Sequence, residues 1–196
     1  TAERKRGVED YQGSVSQRAP ESETHVNDWS EAEQCVERAH EFFELGRWDD
    51  AESELRTALS LNPYQPEWHF NLGLTLDAAG RHADAADAFD EAFWHDSANE
   101  QALLMAGAAL LRADKAEAAL HRLGKAIELD PDLVDAWAFR IDALSALGRH
   151  DDAEEAFYQG QQVDPDNADL YASMAESLLD RGLTDKAVWC LKEAAR

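Results

Sequence analysis

The side chains in this chain of 196 residues that could do chemistry are seven histidines, two cysteines and 41 carboxylates. A histidine can act as a base or bind a metal near neutral pH. His82 and His150, however, occupy the same place in a recurring turn phrase as Trp48, which marks them as scaffold positions. The stretch Asp164-Pro-Asp-Asn-Ala-Asp169 spaces its carboxylates like a calcium loop, but it lacks the glycine and the distal glutamate that an EF-hand needs. Cys35 and Cys190 lie near opposite ends of the chain, form no disulfide framework and have no histidine or cysteine at zinc spacing. There is no glycine-rich phosphate loop, no GxSxG elbow and no HExxH pair. The expectation is a chain that is no enzyme, with no catalytic residue, no metal and no cofactor.

Charge narrows the partners. With 41 acidic and 18 basic residues the net charge is −23. Such a field repels phosphate backbones and anionic membrane surfaces and attracts basic protein segments. Only five lysines accompany 21 aspartates and 20 glutamates, a balance that would equally suit a salt-adapted organism. No apolar run approaches the roughly 20 residues of a membrane span. The sequence starts at Thr1, without a methionine or a signal-like stretch, which reads as a processed or trimmed product, and a cytoplasmic location is the default.

The elements that must position any site are set by a period. The phrases beginning at Gly46, Gly80, Asp114, Gly148 and Gly182 are each 34 residues apart, and so are Pro63, Ser97, Pro131 and Pro165. Within a unit, apolar residues three and four apart give helical faces, as in QALLMAGAALLRA from residue 101. The glycines suit left-handed caps of a first helix, and the Asp or Thr beside them can cap a second. Proline after Asn or Asp ends a unit, because it cannot continue a helix interior. Abundant Ala and few β-branched residues favour an all-α chain.

The matching positions resemble the tetratricopeptide repeat family over about 165 residues. Unit two carries Leu72-Gly73, Leu76, Ala85, Phe89 and Ala92. Unit four carries Trp137, Leu144, Gly148, Ala153, Phe157, Gly160 and Pro165. The resemblance implies a right-handed α-solenoid of five helix-turn-helix units (about 32–65, 66–99, 100–133, 134–167 and 168–196), forming a domain over 29–196. Residues 1–28 have no period and read as a flexible polar lead-in. Departures from the pattern leave local geometry open: Arg38 and Arg140 where Leu72 sits, Ile141 in place of a small residue, Asp114 for the turn glycine and Ser97 for the proline.

In this family the first helices of the units line a concave groove. Carried over by position, the partner-binding residues are Val36, Glu37, His40, Phe43, Phe70, Asn71, Leu74, Leu104, Met105, Leu111, Phe139 and Asp142. Glu33, Glu44, Glu67, Asp77, Asp135, Glu176 and Asp180 form a further acidic rim. Apolar walls with acidic edges imply a protein or peptide partner that is apolar with basic residues. The carboxylate clamp of the family's chaperone-tail binders is not matched: Asn71 fits, but Val36, Gln101 and Met105 fill its basic slots and His40 its second Asn slot. Trp94 and Trp189 stand where other units carry polar residues and read as convex or terminal contacts. For Trp189 three readings stay open: packing against residues beyond the sequence, a homodimer contact through the C-terminal end, or folding onto the last hairpin. The function implied is a non-catalytic adaptor or scaffold. The alternatives are a secretion- or assembly-type chaperone for an apolar client and the interaction module of a larger enzyme complex.

Overall fold

The computed structural model describes residues 21–196. The described residues form ten helices and no strand: α1 (Glu21–Glu44), α2 (Trp48–Leu61), α3 (Pro66–Ala78), α4 (His82–His95), α5 (Glu100–Arg112), α6 (Ala116–Leu129), α7 (Val134–Ala146), α8 (His150–Val163), α9 (Ala168–Asp180) and α10 (Thr184–Ala194). The lead-in expected over residues 1–28 lies largely outside this description, and α1 begins at Glu21, ahead of the expected boundary. Each helix packs on the next in sequence, giving five successive hairpins.

The hairpin turns show how the repeat is enforced. Gly46, Gly80, Gly148 and Gly182 take φ of 70°, 77°, 70° and 71°, the left-handed region that glycine enters without a Cβ penalty. Asp114 adopts the same conformation at φ 57°, so the substituted unit keeps the turn. Its amide donates to Leu111 O and that of Lys115 to Leu110 O, as the amides of Gly80 and Arg81 donate to Asp77 O and Leu76 O. The expected side-chain caps on the second helices are absent from α2, α4, α6, α8 and α10. In three of these turns the aspartate instead pairs with the arginine three residues before it: Arg47–Asp50 at 2.7 Å, Arg81–Asp84 at 2.6 Å and Arg149–Asp152 at 2.7 Å. An arginine in place of a good cap residue draws those carboxylates to itself. Two first helices are capped, α5 by Asn99 and α9 by Asn167, so loss of the proline at Ser97 leaves the start of α5 intact.

Packing follows the small-against-large pattern. A Cβ on Gly73 would lie 2.6 Å from Phe89, and one on Gly107 would lie 2.7 Å from Leu123. Glycine therefore lets the two helices of a unit close over a large side chain. Where Ile141 replaces the small residue it is fully buried, and Gly160 makes room instead for Leu170 and Trp137. Arg140, in the Leu72 position, lies over the Trp137 ring at 5.7 Å. Trp29 reaches Trp68 at 5.8 Å, tying the start of the repeats to unit two.

Candidate functional site

The side chains along the first helices determine how far apart those helices stand. Reading one position down the five units gives Val36, Phe70, Leu104, Ala138 and Ala172. At the bulky end, the backbones of α1 and α3 barely approach. At the small end, α9 packs along α7, with α5 and α7 intermediate. The groove is therefore open between units one and two and narrow between units four and five.

The open end holds a cavity of about 230 Å³ lined by Val36, Ala39, His40, Phe43, Glu44, Leu55, Asn71, Leu74 and Thr75. Five of the twelve expected partner-binding residues thus converge: Val36, His40, Phe43, Asn71 and Leu74. Phe43 is braced edge-on by Trp48 at 5.0 Å. Thr75 donates its hydroxyl to Asn71 O at 2.8 Å, so its polar atom is satisfied within α3 and the floor stays apolar. His40, Asn71 and Glu44 form an exposed polar edge, and Glu37 is exposed alongside.

The narrow end has the opposite character. A cleft of about 340 Å³ is lined by Asp135, Ala138, Phe139, Asp142, Asp169, Ala172, Ser173 and Glu176. Burial pushes the Asp142 carboxyl up to about 6, helped by the like charges of Glu176 and Asp169 and opposed by the Ser173 hydroxyl beside it. Among the described residues no three carboxylate, histidine or cysteine side chains converge on a metal-sized site. The cleft is a spread negative surface whose lining includes no basic side chain.

The remaining expected residues fall elsewhere. Leu104 is buried, 2% exposed, and belongs to the core. It was expected on the groove wall and is packed among Leu72, Leu76 and Phe89 in one apolar cluster. Met105 and Leu111 are half-buried against the same core, and Phe70 turns edge-on to Phe89 at 5.2 Å. Asp77 is no free rim carboxylate: Arg112 bridges to it at 2.7 Å from the next unit, and His82 lies 2.8 Å away. Trp94 is exposed on the second-helix face. Trp189 leans on Tyr171 at 6.0 Å and joins Tyr158, Phe157, Met174, Leu178 and Cys190 in a cleft across α8, α9 and α10. Asp169, Ala172 and Ser173 were missed as groove residues. Reading the Val36 column through to Ala172 would have revealed them, since small residues there let α9 in.

Known proteins agree with this architecture. The tetratricopeptide repeat family profile matches residues 36–98 and 104–168. The Dictyostelium discoideum protein STIP1 homolog is 33% identical over 107 residues, which cover 55% of this chain but 19% of that protein. This chain thus spans about a fifth of that relative's length. The crystal structure of MamA superposes with a TM-score of 0.69 at 26% identity, covering 80% of this chain and 92% of that one. YrrB, described as a TPR protein with an unusual peptide-binding site, shares the fold at a TM-score of 0.66 and 20% identity, covering 88% of this chain and 89% of its own. No helix among the described residues is long and apolar enough to cross a membrane.

Proposed function

The chain belongs to the tetratricopeptide repeat family, and from that premise we propose that it is a non-catalytic adaptor whose groove holds an amphipathic, basic segment of a protein partner. The observation that carries this reading is the polarity of the groove. An apolar cavity between α1 and α3 stands at one end, and a carboxylate-lined cleft between α7 and α9 at the other. An apolar side chain of the partner fills the first, displacing water from Val36, Phe43 and Leu74. A lysine or arginine enters the second, where partial burial strengthens its attraction to Asp142, Asp169 and Glu176. Residues 29–196 form the binding domain in this reading, and the chain's contact with itself is at its C-terminal end.

Selection from a displayed peptide library tests the proposal. Peptides retained by the protein are expected to combine bulky apolar residues with Lys or Arg and to be lost on the Val36→Asp/Leu74→Asp double variant. These two positions line the cavity, whereas Leu104 lies in the core. Enrichment of acidic peptides, or retention by the double variant, would overturn it. The open apolar cavity also favours a second reading, a chaperone that masks an apolar client segment. A client that aggregates alone and stays soluble with this protein would distinguish that role from adaptor binding.

A further inference from the structure

Three of the four junctions between units are bridged by an arginine that reaches a carboxylate of the neighbouring unit. Arg81 reaches Glu52 at 2.6 Å between units one and two. Between units two and three, Arg112 grips both oxygens of Asp77, at 3.1 and 2.7 Å, and Arg122 grips both of Asp90, at 3.1 and 2.7 Å. Arg181 pairs with Glu154 between units four and five. Among the described residues, no ion pair joins unit three to unit four.

The repeat register accounts for the missing bridges. Moved on by one unit, Asp77 and Arg112 become Leu111 and Ala146, while Asp90 and Arg122 become Gly124 and Ala156. Moved back by one, Glu154 and Arg181 become Leu120 and Leu147. Glu52 moved on by two units is again Leu120, and Arg149, in the Arg81 position, is held by Asp152 of its own turn at 2.7 Å. Every bridge found elsewhere has lost its acidic member here. Apolar packing divides at the same place. One buried cluster runs from Ala39 to α6 and takes from α7 only Ala136 and Ala143 as buried side chains. A second holds Ala138, Ile141 and Leu144 of α7 together with α8, α9 and α10. Half-buried Leu120 and Trp137 pack against both.

We infer that the solenoid shears at this junction: units one to three and units four to five are two bodies, and α7 slides on α5 and α6. A two-pronged arginine–carboxylate pair fixes direction as well as distance. The junction of units two and three has one such pair between first helices and one between second helices, which resists tilt toward either face. Apolar contact has no preferred direction. Two alanines also present a flat surface, with little to interlock. Sliding of packed helices is therefore least opposed between α7 and its predecessors. The junction lies between the apolar hollow of α1 and α3 and the carboxylate cleft of α7 and α9, so sliding changes their separation. A partner that engages both sets that separation on binding. This last consequence rests on the groove reading proposed above; the shear itself does not.

Glu91, Lys125 and Gln159 are exposed and occupy one repeat position on three successive second helices, whereas Cys35 and Cys190 are buried. Cysteines at the three positions therefore carry equivalent spin labels for pulsed electron-resonance distance measurements on the full chain. The Lys125→Cys/Gln159→Cys pair, across the unbridged junction, should give a distance distribution at least about twice as wide as the Glu91→Cys/Lys125→Cys pair. Adding Leu111→Asp/Ala146→Arg, which rebuilds the Asp77–Arg112 arrangement, should narrow the first distribution to the width of the second. Adding Arg112→Ala/Arg122→Ala should widen the second toward the first, with circular dichroism unchanged. That removal decides the matter on its own if the rebuilt bridge prevents folding. Equal widths across the two junctions, or a reference width unmoved by removal of both arginines, would overturn the inference. The library selection reads groove binding separately, so either result stands without the other.

Discussion

The two ends of the groove are built on the same helical repeat and do opposite things. Between α1 and α3 the spacing is kept by Val36, Phe43 and Leu74, and what remains is an apolar hollow. Between α7 and α9, Ala138, Ala172 and Ser173 let the helices close, and Asp135, Asp142, Asp169 and Glu176 face one another across the gap. A repeat fixes where helices go, while side-chain volume at one position fixes how far apart they stand. Specificity can therefore be written into a solenoid without altering its turns.

The comparison can be broken hardest at its support. Phe89 is fully buried beneath Phe70 and opposite Gly73, so Phe89→Ala should destabilise the protein by about 3–5 kcal/mol in urea melts. Amides of α3 to α5 should lose hydrogen-exchange protection before those of α7 to α9. Wedging the narrow end apart should cost less. Ala138→Leu places a bulky group where α9 closes on α7, and overpacking of about 1–3 kcal/mol is expected in the same melts.

Asp142 gives the narrow end a pH signature. The folded protein holds its carboxyl at about 6, against the ordinary 3.8, so ionising it opposes folding. The penalty is absent below about pH 4, grows as pH rises toward 6 and is complete above that. Asp142→Asn should therefore stabilise the protein by about 1–2 kcal/mol at pH 7.5, with the gain shrinking as pH falls toward 5. A gain independent of pH would show that charge burial is not its source. The smallest effect belongs to the turns: Asp114→Gly should add about 0.5–1 kcal/mol in thermal melts, because glycine enters the left-handed region at φ 57° without strain.

Much of the fold was legible because the 34-residue spacing is unbroken and each unit repeats the same turn, while small-against-large pairing recurs at Gly73–Phe89 and Gly107–Leu123. Asp114 could not be settled in advance, since aspartate tolerates the left-handed conformation only at a cost that context must offset. The caps were misjudged for a similar reason: Asp50, Asp84 and Asp152 suit a helix start, but an arginine three residues away competes for them. The site was legible at its open end, where Val36, His40, Phe43, Asn71 and Leu74 do meet. Leu104 is buried in the core, and its position in the repeat does not by itself show that.

Calorimetric titration of one library-selected peptide, carrying both an apolar anchor and a lysine, across a salt series tests the polarity of the groove most directly. Leu74→Asp should abolish binding at every salt concentration, whereas Asp142→Asn/Glu176→Gln should remove only the salt-sensitive part. Wild-type affinity and salt dependence in both variants would contradict the account.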